Sequence, residues 1–203
     1  MAAVVTLEMT VAGFAVAVVV GLPLVGLRLF APRAASALAI GFIELLRGTP
    51  LLVQLFFLFF VLPLWGINLP AFGIAVLALG LHYGAYCAEV YRGGIESVPR
   101  GQWEAFTALG LRPLVGFFRI ILPQALVPVA PALGNYLIAL FKETPILSTI
   151  AIAELLQRAK EIGSETFRYT EPITLVGLFF LAMSLVSASA IRALERRLKR
   201  SPN

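Results

Sequence analysis

The chain has 203 residues, 60% of them hydrophobic and 13% charged, with a formal net charge of +5 and a mean hydropathy of +0.92. Soluble globular chains carry about a quarter charged residues, so this composition excludes a water-soluble domain and describes an integral membrane protein. One cysteine, Cys87, and one histidine, His82, exclude an intrachain disulfide and a Cys/His metal site. The length accommodates about five apolar helices of roughly 20 residues in one transmembrane domain, 1–203.

Residues 4–30 read as the first span, interrupted by Glu8, Thr10, Gly13, Gly21, Pro23 and Arg28. With no basic leader and further spans behind it, this stretch is a span and not a secretory signal. Residues 31–40 read as a short loop with Arg33. The second span, 42–64, is unusual because Glu44, Arg47, Gly48, Thr49 and Pro50 crowd its first third. Only residues 51–64 are continuously apolar apart from Gln54, too short a run to cross alone, so the Gly-Thr-Pro step belongs at the interface or inside a bundle. Trp65 suits a membrane–water boundary, and 71–90 form the third span.

Residues 91–123, YRGGIESVPRGQWEAFTALGLRPLVGFFRIILP, are the one extended polar stretch between spans. Residues 101–109 read as a short helix with Trp103, Phe106 and Leu109 at three-residue spacing, along one stripe. Gly110 fits the left-handed position that ends a helix, and Pro113 prevents continuation. Local physics leaves two readings open, a docking surface and a helix lying flat among lipid headgroups. The fourth span, 124–141, holds Pro128 and Pro131, whose freed carbonyls need protein or a wet cavity around them. Residues 146–156 are apolar but short, with a re-entrant reading, and 172–191 form the fifth span before a basic tail, RALERRLKR.

Basic residues orient the chain. With the N-terminus outside and the C-terminus inside, twelve of the 16 lie on the inner side: Arg28, Arg33, Arg47, Arg92, Arg100, Arg112, Arg119, Arg192, Arg196, Arg197, Lys199 and Arg200. Lys142, Arg158, Lys160 and Arg168 remain outside, a bias that fixes topology. The central stretch then faces the cytoplasm. The pI near 9.8 reflects this bias and contact with anionic lipid, not nucleic-acid binding.

Glu104-Ala105, Gly110 six residues after Glu104, and Ile121-Leu122-Pro123 resemble the EAA loop of bacterial ABC-importer permease subunits. The flanking segments ELLRGTPLLVQL (44–55), AEVYRGGIESVPRGQWEA (88–105), ALGL (108–111), FFRIILPQA (117–125) and KETPILSTI (142–150) resemble the polar amino-acid branch of that family over nearly the whole chain. Phe106 replaces the family's second alanine, and the usual KDTSL reads Lys142-Glu143-Thr144-Pro145-Ile146.

The resemblance implies an all-α polytopic permease with a cytoplasmic coupling helix between its third and fourth spans, in the bacterial inner membrane. It further implies a partner permease, identical or related, two cytoplasmic ATPase subunits, and an extracytoplasmic substrate-binding protein. The chain has no phosphate-binding G-x-x-x-x-G-K-[ST] loop, so ATP and Mg are expected on the partner ATPase and no cofactor or metal on this chain. Arg100, Trp103, Glu104, Ala105, Phe106, Leu109 and Gly110 are the expected coupling residues: the apolar side chains form the footprint, Arg100 and Glu104 set register, and Gly110 turns the chain or stops the helix.

Polar side chains inside spans are costly, which makes them functional candidates. Gln54, Tyr86, Asn135, Lys142, Thr144 and Glu154 are the expected substrate pathway, with Glu89 a further intramembrane carboxylate. Glu154 meets a substrate ammonium or guanidinium, or pairs with Arg158 at i+4. Asn135 binds a substrate carboxylate or satisfies carbonyls freed by the prolines, the second being favoured. Glu44 and Arg47, three apart, pair with each other or sit at the interface, and His82 and Cys87 read as packing residues. Two rival classes are a channel or secondary transporter independent of ATP, and a membrane enzyme or assembly scaffold. The first needs no aromatic docking loop, and the second needs an acid/base or metal cluster that this composition lacks.

Overall fold

The structure, a computed structural model, describes residues 1–200. The last three residues of the domain, and the side chains of Lys199 and Arg200 in the basic tail, lie outside the described residues. Among the described residues the fold is all-α. Its helices are α1 (Ala2–Phe30), α2 (Arg33–Gly48), α3 (Leu51–Val61), α4 (Ala71–Glu96), α5 (Arg100–Ala108), α6 (Pro113–Gly116), α7 (Leu122–Glu143), α8 (Leu155–Thr166) and α9 (Thr170–Arg200). A 3₁₀ turn (Leu62–Trp65) extends α3, a π-helical turn (Phe117–Ile121) joins α6 to α7, and a second 3₁₀ segment (Thr144–Ile150) follows α7.

Four segments are long and apolar enough to cross a membrane: Ala2–Phe30, Ala71–Glu96, Pro113–Ile150 and Thr170–Leu198. The pair Arg33–Gly48 and Leu51–Trp65, bent by 104°, passes the same test only when its two helices are taken together, and makes a fifth crossing if they form one broken span. Pro50 explains the bend. The residue before a proline is pushed out of the helical region, and Thr49 is extended (φ −114°, ψ 143°) where α2 stops.

The centre of the bundle is the packing of α1 on α4, and it rests on small residues. Gly13, Ala17 and Gly21 recur every four residues on α1, and Gly80, Gly84 and Ala88 do so on α4. A Cβ on Gly80 would lie 2.3 Å from Val16, on Gly84 2.9 Å from Val20, and on Gly21 2.8 Å from Cys87. Small residues at this spacing let membrane helices approach until their backbones nearly touch. Leu79 of α4 itself and Leu55, Leu140 and Leu147 from other elements close the same core. On α1, Thr6 donates its hydroxyl to Ala2 O and accepts Leu155 N–H at 3.2 Å, which ties the start of α8 to the first span.

The helices reach further than the hydropathy suggests. Residues 31–40, expected as a loop, are mostly helical, because α2 begins at Arg33 and carries an amphipathic face with Ala39, Ile43 and Leu46 buried. The central stretch 91–123 is helical at both ends: α4 continues to Glu96, and the fourth crossing starts at Pro113. Proline at a first helical turn loses no intrahelical bond, so Pro113 opens that helix as well as ending the loop. Pro128 and Pro131 leave α7 helical throughout. The stretch 146–156 is a 3₁₀ segment and the start of α8, reversed at Ala151 (φ 59°). The expected fifth span is α9, which runs past residue 191 into the basic tail.

Candidate functional site

Two places concentrate the singular residues. The first is α5 and its surroundings. Pro99 caps α5, and Gly110 ends it with φ +66° as expected. The Trp103–Phe106 stripe turns inward, toward its own bundle. Phe106 is 8% exposed and packs with Val98, Ile121 and Ala125. It fits because Gly116 opposite has no side chain: a Cβ there would lie 2.4 Å from the Phe106 ring. Trp103, half-buried, leans on Phe106 (ring centroids 6.0 Å) and Phe117 (6.4 Å). The apolar footprint expected of Trp103 and Phe106 is thus spent within the chain. What faces outward is Arg100, Glu104, Ala105, Ala108 and Leu109, the last 73% exposed.

An ion-pair chain stands beside α5, at the adjoining ends of α1 and α4. Arg28 pairs with Glu89, Glu89 with Arg92 at 2.9 Å, and Arg92 with Glu96. Glu89, expected in the substrate pathway, is therefore a bolt between two spans.

The second place is a cleft of about 790 Å³ where the α2–α3 bend, the middle of α4, the end of α7 and the first turns of α8 meet. Arg47, His82, Tyr86, Lys142, Glu143 and Lys160 give it its polar wall. Tyr86 of the lining is in tilted ring contact with Tyr83 and with Tyr136, the Tyr86 and Tyr136 centroids 5.3 Å apart. Arg47 bonds Glu44 at 3.2 Å as expected, and its guanidinium lies 5.4 Å from the Tyr86 ring centroid. That is a cation–π arrangement. Its Nε is buried without a hydrogen-bond partner.

Of the residues expected in the substrate pathway, Tyr86 and Lys142 meet in this cleft. Gln54 is at the elbow behind it. Its amide donates to Leu46 O (2.7 Å), Thr49 O (3.2 Å) and Thr49 Oγ1 (2.7 Å), and its carbonyl oxygen faces His82 Nδ1 at 3.2 Å. Gln54 thus satisfies the carbonyls that the break at Pro50 strands. Thr144 is buried, its hydroxyl donated to Phe141 O. Asn135 is exposed on α7, outside the cleft.

Glu154, in the segment that joins the fourth and fifth spans, is fully buried and caps α8, accepting Leu156 N–H at 2.9 Å and Gln157 N–H at 2.7 Å. Arg158 turns instead to Glu161. Burial pushes the Glu154 carboxyl above the usual range, against the downward pull of those two N–H groups and Lys160. Sequence reasoning gave Arg47 to an ion pair and Lys160 to the outer surface. The signal for Arg47 was its place one residue before the Gly-Thr-Pro break. Lys160 had none, because only the turn at Ala151 brings α8 back over the cleft. Among the described residues no group of His, Cys, Asp or Glu could hold a metal ion.

A bundle of broken and unbroken membrane helices around a polar cleft, with a short helix displayed between two spans, is the architecture of a membrane transport subunit. The chain belongs to the family of binding-protein-dependent transport system inner membrane components, whose model matches residues 9–200. It is 46% identical over 190 residues to a probable amino-acid ABC transporter permease, y4tG, of Sinorhizobium fredii, covering 94% of this chain and 82% of that one. It is 38% identical over 196 residues to the glutamine transport system permease GlnP of Escherichia coli K12, covering 96% and 90%. Among solved structures, one described as an amino acid ABC transporter with histidines superposes with a TM-score of 0.91 at 36% identity, covering 97% of this chain and 92% of that one. The chain is a permease subunit of an ABC importer, and the ATP hydrolysis of such a transporter resides in a separate subunit.

Proposed function

We propose that this permease carries a polar amino acid inward across the bacterial cytoplasmic membrane by alternating access. Its N-terminus lies outside and its C-terminus inside, in keeping with the distribution of basic residues. It pairs with a second permease, identical or related. Two cytoplasmic ATPases, which hold ATP and Mg, dock on α5, and an extracytoplasmic binding protein delivers the substrate. The amino-acid assignment is supported by the relatives named above and by a cleft whose cations suit a carboxylate.

The observation that carries this reading is how α5 is held. Phe106 locks its inner face to Ile121 and Ala125 at the root of the fourth crossing, and its outer face is bare. A displacement of α5 by closing ATPases therefore moves α6 and α7, and with α7 the Lys142 side of the cleft. Arg100 and Glu104 flank the outer face and set register by charge.

The test is co-purification with the cognate ATPase. Ala105→Arg and Ala108→Asp, both on the outer face, should abolish the complex while the thermal stability of the permease is unchanged. Gly110→Asp should weaken it as well, by straining the turn. Full binding by the Ala105 and Ala108 variants would end the docking reading of α5.

A further inference from the structure

Asn135 is exposed midway along the fourth crossing, Pro113–Ile150, and among the described residues its amide has no hydrogen-bond partner. An unpaired amide facing hydrocarbon is costly, so lipid does not cover this face. Hydroxyls exposed on α9 meet the same problem within their own helix: Thr174 donates to Thr170 O and Ser189 to Leu185 O. Elsewhere α1 and α9 turn aliphatic side chains outward, among them Val11, Val19, Leu175 and Leu185, which suit lipid tails.

Two sides of α7 are already occupied. It packs on α4, and a Cβ at Gly134 would lie 2.8 Å from Ile191 of α9. Pro128, Asn135 and Lys142, seven residues apart, are exposed along a third. Pro128 and Pro131 also withhold the backbone bonds that Gln124 O and Val127 O would accept in a regular helix. At membrane depth such carbonyls need protein or water beside them. A single amide in PVAPALGNYLIALF (128–141) is too little to line a wet path, since the other polar side chain there, Tyr136, turns to Tyr83 and Tyr86. The cover is therefore protein.

We propose that the free face of α7 is where this permease meets a second copy of itself, with Asn135 of each chain at the two-fold axis. A residue on such an axis is matched by itself. A side-chain amide has both donors and an acceptor, so the two copies exchange a pair of N–H···O bonds, the kind of contact that holds membrane helices together. The proposal rests on the permease reading and names the surface and the partner of its pairing.

The experiment cross-links cysteines in membranes that hold the whole transporter. Cys87, the one native cysteine, is buried and is first replaced by alanine. Asn135→Cys should then give a disulfide-linked permease dimer on mild oxidation, while Val11→Cys on α1 and Leu185→Cys on α9 should stay monomeric. In a second measurement, two differently tagged copies of the full chain are co-expressed and one is used to capture the other. Asn135→Leu should lower capture by roughly fivefold or more, and Asn135→Gln should restore part of it. A dimer through Val11→Cys or Leu185→Cys but not Asn135→Cys, capture unchanged by Asn135→Leu, or a purified transporter whose second permease is a different chain would each overturn the proposal. ATPase co-purification from the same membranes separates the causes: if the ATPase is held while Asn135→Cys stays monomeric, the α7 contact is lost and the permease reading stands.

Discussion

Gly116 decides where α5 can sit. A methyl group there would lie 2.4 Å from the Phe106 ring, a distance no Cβ tolerates. Gly116→Ala should cost about 1–3 kcal/mol by overpacking and loosen the grip of α5 on the fourth crossing. Adding Phe106→Val should return part of the stability, because contacting residues are not additive. Thermal unfolding in detergent checks both, and a Gly116→Ala variant as stable as the parent would mean the ring is not seated there. Glu154 is the other decisive side chain. Its carboxyl titrates above the usual range, chiefly through burial, so the unfolded chain releases this proton first as pH rises. Its contribution to stability is present in full below the ordinary carboxylate value and falls away as pH climbs through the raised one. Glu154→Gln should remove that component, leaving a stability curve flatter than the parent's across this acid range. Unchanged pH dependence would count against the buried cap.

The α2–α3 elbow is the element that turns a chemical break into a usable shape. Gly48-Thr49-Pro50 stops one helix and starts another, and stranded carbonyls at membrane depth have no water to satisfy them. Gln54 reaches back from the first turn of α3 to do so, and His82 on α4 holds its carbonyl. The same latch fixes the backbone on both sides of Arg47, bonding Leu46 O and Thr49 O. Gln54→Leu, similar in volume, should destabilise by about 1–3 kcal/mol through unpaired buried groups. It should also reduce transport more than Asn135→Leu, which lies outside the cleft. Comparable transport by the two variants would reduce Gln54 to a spectator of the bend.

At the scale of the whole molecule, the α1–α4 seam is the fixed frame against which everything else moves. Gly80→Ala places a methyl 2.3 Å from Val16 Cγ1 and 2.7 Å from its Cβ, backbone-proximal atoms that cannot swing away. The expected loss is about 1–3 kcal/mol, recovered in part by Val16→Ala, as a double-mutant cycle on thermal stability would measure. The ion pairs from Arg28 through Glu96 bolt the same two helices at their adjoining ends. The α5 docking face and the cleft thus lie on opposite ends of α7, and a lever between them needs such a frame to push against.

Composition alone determined the membrane class, because no soluble fold tolerates this hydropathy, and local chemistry determined the α5 stop at Gly110 and the break before Pro50. The resemblance of residues 88–125 to the EAA loop carried the functional assignment, since those motifs are contiguous. Contacts between distant residues were decided only by the tertiary structure. A three-residue stripe does not say which way it faces, and Trp103 and Phe106 turned inward because Gly116, ten residues beyond Phe106, left a hollow. The reversal at Ala151 brought Lys160 to the cleft that Arg47 lines. Glu154 became a helix cap and Gln54 a latch because stranded backbone groups in an apolar surround must take whatever polar side chain the fold brings within reach.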